Sequence, residues 1–374
     1  MKKNILPLKI IFSLLFLLTS QSVLAQWSLS FSTGQEYNDN PFHSPFPESN
    51  LISNYDVNVT NENDLISFGY LGSYFALNNN PERNFQWHQL SIWKYLENLS
   101  FNISYDQRFG KQYFSFLDYL GFEGNINYKI PTDYVYSQIY STLSYTKFNE
   151  LSTLDNFTAA VGFEVNKGFE TGTTIITGAK FNYRTYSSDT YIIQPDNSAS
   201  DSLIIIGNEK PTPIPQLTSY IRAAQSLTES TGLAVQYSNR SILGEVKSVF
   251  LSGDFYLWEE SEIFDDPLKY EGNTALAELT QLVDDFTIKA GYYLNKKNYP
   301  SQGIYTDYEN FSYDLMRSDT QQIFNISLRK NSGFTIGSTE LNFSLSYQYI
   351  NNKSNSTWFN YKSSSFMLNL DLSF

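Results

Sequence analysis

His43 and His88 are the only imidazoles in a 374-residue chain that has no cysteine. Disulfides, thiolate metal sites, thiol nucleophiles and lipid attachment through Cys are therefore excluded. His43 stands in Asn40-Pro41-Phe42-His43-Ser44-Pro45, a Pro-bounded loop whose composition turn formation explains. His88 stands in Trp87-His88-Gln89-Leu90, inside an alternating run. A hydrolase would need a nucleophile or activated water, a base and an orienting group facing one another. Ser and Asp are so frequent here that one near His88 carries little information, so His88 is predicted to be non-catalytic. Paired carboxylates occur at Glu259-Glu260, Asp265-Asp266 and Asp284-Asp285. Neighbours on a strand point to opposite faces, and no Asp-x-Asp-x-Asp-Gly run is present, so solvated loops explain these pairs better than Ca²⁺ ligation. No Gly-rich phosphate loop, zinc spacing or Gly-x-Ser-x-Gly elbow occurs. The expectation is a non-enzyme with no catalytic residue, metal or cofactor.

Charge and hydropathy narrow the classes further. The formal charge is −13, from 25 basic and 38 acidic residues, which argues against a nucleic-acid partner held on a basic face. Apolar residues make up 41% and aromatics 17%, yet the mean hydropathy is −0.34. Met1-Lys2-Lys3-Asn4 begins a short positive segment, Ile10-Ile11-Phe12-Ser13-Leu14-Leu15-Phe16-Leu17-Leu18 is apolar, and Val23-Leu24-Ala25 offers a cleavage site before Gln26. Residues 1–25 are predicted to be a signal peptide cleaved near Ala25, with one domain over residues 26–374. The longest later apolar run, Leu203-Ile204-Ile205-Ile206, is far too short for a spanning helix. An exported chain of this kind is either soluble outside the inner membrane or a β-barrel.

The elements that would position any site read with period two. In residues 99–106, Leu99, Phe101, Ile103 and Tyr105 oppose Ser100, Asn102, Ser104 and Asp106. Residues 157–166, 175–184, 286–295 and 341–350 repeat the scheme, and helical spacing is nowhere sustained. Many runs reach about ten residues, enough to cross a bilayer when tilted, whereas sandwich strands average about five or six. The polar faces carry Lys180, Arg184, Lys289 and Glu164, which a packed core would not accommodate. Trp27, Trp87, Trp93, Trp258 and Trp358 lie near segment ends, where two interfacial girdles would place them. Residues 61–64 and 131–133 predict tight turns; residues 38–50, 106–118, 187–215 and 259–270 predict long loops. Alternating segments count to about 17, but single-chain barrels have even numbers. At least one of these assignments is therefore expected to be wrong, and the stretch between residues 187 and 245, where the period is weakest, is where it should fall. The predicted fold is all-β, a single transmembrane antiparallel barrel of about 16 strands.

The final residues set Phe366, Leu368, Leu370, Leu372 and Phe374 against Met367, Asn369, Asp371 and Ser373. This resembles the assembly signal of bacterial outer-membrane barrels, which implies recognition by the barrel-assembly machinery. Glu36-Tyr37-Asn38-Asp39-Asn40-Pro41-Phe42, Phe264-Asp265-Asp266-Pro267, Tyr270-Glu271-Gly272, Arg317-Ser318-Asp319 and Asn351-Asn352-Lys353-Ser354-Asn355, leading through Tyr361 to Phe374, are similar to a broad porin-like family of outer-membrane barrel proteins. The resemblance implies an integral outer-membrane location and lipid contact, and it carries no catalytic residue across.

Lys180, Arg184, Lys289, Arg329, Glu164 and Asp371 are predicted to face the lumen. In a water-filled pore they would tune ion selectivity; in a closed one they would pair and fill the space. The leading expectation is a porin-like passive channel for small hydrophilic solutes. The alternative is a non-conducting barrel that anchors or scaffolds an export or cell-surface assembly.

Overall fold

Each alternating segment pairs antiparallel with its neighbour until the last meets the first. The computed structural model describes residues 27–187, 190–195, 203–209, 212–244, 268–330, 333–336 and 339–374. The expected signal peptide and Trp258 lie outside them. Strands β1 (Trp27–Asn38), β2 (Asn50–Asn61), β3 (Ser67–Leu77), β4 (Phe85–Tyr95) and β5 (Leu99–Gly110) form a meander. It continues through β6 (Tyr119–Ile130), β7 (Tyr136–Phe148), β8 (Asn156–Gly168) and β9 (Thr173–Tyr186). A separate hairpin follows, β10 (Thr190–Pro195) with β11 (Leu203–Glu209). The wall resumes with β12 (Ile214–Ser226), which pairs directly with β9, then β13 (Thr231–Ile242), β14 (Glu271–Val283), β15 (Phe286–Tyr305) and β16 (Phe311–Lys330). The short β17 (Phe334–Ile336) pairs with the start of β18 (Thr339–Ser354), and β19 (Tyr361–Ser373) pairs with both β18 and β1. The ring is a closed antiparallel barrel of 16 strands.

Register fixes which side chains share a face, because cross-strand partners point the same way. Phe31, Val57, Gly72, His88, Gln107 and Leu120 follow one another through β1–β6 on one face. That face carries the exposed large apolar side chains, among them Tyr55, Leu90, Ile103, Phe122, Val161, Ile221, Tyr292 and Phe366. The other face carries buried polar ones such as Ser73, Ser104, Asn182, Gln216 and Asp319. Side chains crowd on the concave side of a closed sheet and splay on the convex side, so the polar face is the inner wall. The apolar outside is what a bilayer requires, since closure leaves no strand edge in hydrocarbon.

Connections alternate. One end has tight turns, including residues 62–66, 96–98, 131–135 and 284–285. Asp284, at φ 49°, occupies the left-handed region that Asp tolerates, and Asp285 pairs with Lys330, so this carboxylate pair is a turn. The other end carries the longer loops. The sequence-predicted loop over residues 106–118 begins only at Lys111, because β5 holds its ladder to Gly110. The extra strand-like segments between residues 187 and 245 are the β10–β11 hairpin, which includes the apolar run Leu203-Ile204-Ile205-Ile206 and pairs only with itself.

Candidate functional site

The inner wall is the candidate site, and the strand register places its charges. Lys180 stands across from Gly162 and Thr218, Lys289 from Thr280 and Ser327, Arg329 from Thr287 and Ser344, and Asp371 from Ser32 and Asn342. Arg184 donates from Nε to Thr158 Oγ1 at 2.9 Å. Glu164 accepts from the Tyr220 hydroxyl and from Gln138 Nε2, the latter at 3.1 Å. All six predicted residues thus occupy the polar face, but they do not converge on one point. Further wall charges sit at Asp56, Asp106, Glu123, Arg222 and Glu278, with Arg222 and Glu278 paired at 3.4 Å. Simple parity from their apolar neighbours would have found these too.

Charges of both signs line the ring. Lys180, Arg184, Arg222, Lys289 and Arg329 belong to β9, β12, β15 and β16. Asp371, Asp56, Asp106 and Glu123 belong to β19, β2, β5 and β6, with Asp371 near Arg329, while Glu164 of β8 and Glu278 of β14 sit among the cations. Arg108 and Lys129 are cations on the same stretch of wall, and the Arg108 guanidinium stacks on Phe85, 4.3 Å from the ring centre.

At the long-loop end the side chains are tightly engaged. Arg317 donates from Nε to both Asp319 oxygens at 3.1 Å and from Nη1 to Gln302 Oε1 at 3.1 Å. Its guanidinium also lies between the rings of Tyr299 and Phe359. Asn352 Nδ2 reaches Phe359 O at 2.6 Å. Across the β1–β19 seam, Asn40 Nδ2 donates to Lys362 O at 2.8 Å, and Ser363 Oγ to Asn38 Oδ1 at 3.0 Å. The backbone N–H of Ser364 donates to Asp39 Oδ1 at 2.6 Å. Several short motifs quoted from the sequence therefore meet at one end of the barrel, where they brace the mouth. Burial holds the Asp118 carboxyl, in the loop after β5, above the ordinary carboxylate range, against the opposing pull of the Gly110 N–H and Arg108.

His88 lies on the outer face, with Nδ1 2.8 Å from the Tyr70 hydroxyl and Nε2 3.4 Å from Gln86 Oε1. His43 stacks on Tyr361 at 4.6 Å. Trp87 and Trp93 correct the girdle expectation. Their register partners Ser73 and Ser67 put both on the inner wall, because their parity is opposite to that of Leu90 and Ile92. Trp27 is on the outer face, while Trp358 packs at the long-loop end against Phe46 and Tyr308. Among the described residues no group of three or more His, Asp or Glu could hold a metal ion.

A closed antiparallel ring, apolar outside and polar inside, defines a β-barrel with the surface of a membrane-spanning one. The fold is similar to that of OccAB1 from Acinetobacter baumannii, with TM-score 0.53, 10% identity and coverage of 93% of this chain and 96% of that one. It is also similar to Pseudomonas aeruginosa OccK5 (OpdH), with TM-score 0.52, 10% identity and coverage of 95% and 99%. No family model matches the sequence, and no curated protein matches it.

Proposed function

We propose that this chain is a passive, porin-like channel of the outer membrane for small hydrophilic solutes. The observation that carries this reading is the polar inner wall of a closed ring, which carries Lys180, Arg184, Lys289 and Arg329 together with Asp56, Asp106, Glu123 and Asp371. Charges of both signs fixed on such a wall act on the ions and polar solutes that pass it. Similarity to porins in fold supports the location and a role without catalysis. In this reading residues 1–25 direct export, and Phe366, Leu368, Leu370, Leu372 and Phe374 present the apolar face read by the assembly machinery. Single-channel recording of refolded protein in a planar bilayer tests the channel. Stepwise currents are expected. Protein that inserts as a folded barrel, shown by a heat-dependent gel shift, yet carries no current would overturn the reading in favour of an anchoring or scaffolding barrel.

A further inference from the structure

The inner wall of β1–β4 has a concavity of about 440 Å³ near the short-turn end, within the ~300–1,000 Å³ range of ligand clefts. One side is the indole of Trp93. The ring crosses the strand surface at Gly69, where a Cβ would lie 3.1 Å from Trp93 Cζ3, 3.2 Å from Cη2 and 3.3 Å from Thr60 Cγ2. The missing side chain of Gly69 is what lets the ring reach over β3 toward β2.

Around the ring stand Ser30, Asn58, Gln89, Ser91 and Asp56. Register sets them side by side: Ser30 against Asn58, Leu71 against Gln89, and Gly69 against both Thr60 and Ser91. Asp56 uses Oδ2 to accept from Ser32 and Asn54, each at 3.0 Å, and its Oδ1 has no hydrogen bond among the described residues. Among the described residues, the side chains of Ser30, Asn58, Gln89 and Ser91 and the Trp93 indole N–H make no hydrogen bond within the protein.

A flat aromatic face beside groups that both donate and accept matches one ligand chemistry in particular. A sugar ring presents C–H bonds on its faces and hydroxyls at its edge. The hydroxyls need the mixed donors and acceptors that amides and serines supply, and an open carboxylate oxygen is a strong acceptor for them. We propose that this concavity is a saccharide subsite, with a sugar ring stacked on Trp93 and its hydroxyls held by Asn58, Gln89, Ser91 and Asp56. The proposal rests on the channel reading, and it names a solute class for that channel.

The experiment is single-channel recording of the full refolded chain with maltotriose added to either side. Brief, concentration-dependent closures are expected. Trp93→Ala should raise the half-blocking concentration about tenfold, equivalent to about 1.4 kcal/mol, and Trp93→Phe should keep part of the block. Asn58→Ala and Gln89→Ala should each weaken it. Current that ignores maltotriose, block unchanged in Trp93→Ala, or block by choline chloride without block by maltotriose would each overturn the subsite while leaving the channel intact. A barrel without current would fail the channel reading instead. Calorimetric titration of the detergent-solubilised protein with maltotriose then decides the subsite: heat lost in Trp93→Ala and reduced in Gln89→Ala supports it, and absence of heat in the unmutated protein overturns it.

Discussion

The Arg83 guanidinium is held between Phe42 and Phe114, 4.1 Å from one ring centre and 4.4 Å from the other. These rings come from the loops after β1 and β5, while Arg83 belongs to the loop after β3. Three connections are thereby tied by one side chain. Asn50 Nδ2, which donates to Asn80 Oδ1 at 2.6 Å, adds a further tie to the same loop.

Arg83→Ala should loosen this collar without unfolding the barrel. Two partly desolvated cation–π contacts contribute roughly 0.5–2 kcal/mol each, so local opening should rise about tenfold or more. Limited proteolysis of the protein in liposomes should show faster cleavage within residues 39–49 and 111–118. An unchanged digestion pattern would mean the sandwich adds nothing to loop order.

Charge reversal at wall cations and at wall carboxylates should act in opposite directions. Arg184→Glu and Lys289→Glu should each move permeability toward cations, and Asp56→Lys and Asp371→Lys toward anions, by roughly twofold or more. Reversal potentials in a KCl gradient read this directly. Shifts of the same sign from both sets would contradict the assigned wall.

Two glycines should respond differently to a methyl group. Gly272 has φ 147°, and a Cβ there would lie 1.8 Å from Lys296 O. Gly272→Ala should therefore cost several kcal/mol, on the order of 3 or more, and depress refolding yield. At Gly124 a Cβ meets nothing within 4 Å, so Gly124→Ala should refold like the unmutated chain. Urea titrations of refolding into lipid compare the two.

The buried Asp118 predicts a pH dependence. Its folded pKa lies above the unfolded value, so the native state binds the proton more tightly and stability falls as pH rises between the two. Asp118→Asn keeps an acceptor for Gly110 N–H and should remove that decline, which begins near pH ~4 for an ordinary Asp. Urea midpoints measured across that window for both proteins check the sign.

Parity also separates the two faces of β19. Leu368→Arg, on the outer face, should cost roughly 2–4 kcal/mol near the bilayer centre, whereas Asn369→Arg, on the wall, should be far milder. Equal losses in lipid refolding would show that the face assignment is wrong.

Much of this was legible in advance because one period governs nearly every strand. The faces of residues 99–106 and 341–350 could be read from single side chains, since a strand with one face in lipid tolerates no slip. Trp87 and Trp93 were misread by attending to their distance from strand ends rather than to their parity with Leu90. The β10–β11 hairpin was harder, because the period is weak there: Leu203-Ile204-Ile205-Ile206 is apolar throughout, so no face of it can be told from the sequence. The bracing of the mouth was not legible at all. Asp319 and Asn352 meet only when β16 and β18 are in register, and nothing local in the sequence states that register.

The seam between β1 and β19 carries a consequence for how the molecule is made. Asn40 and Lys362, and Asn38 and Ser363, join parts of the chain separated by 322 and 325 positions. The circle therefore stays open until almost the entire polypeptide has been delivered, and two unpaired strand margins wait through that interval. Contacts of such long range form slowly, and an open margin invites wrong partners. Speed of delivery and shielding of those margins, more than the stability of the finished cylinder, should decide how much protein reaches its native form.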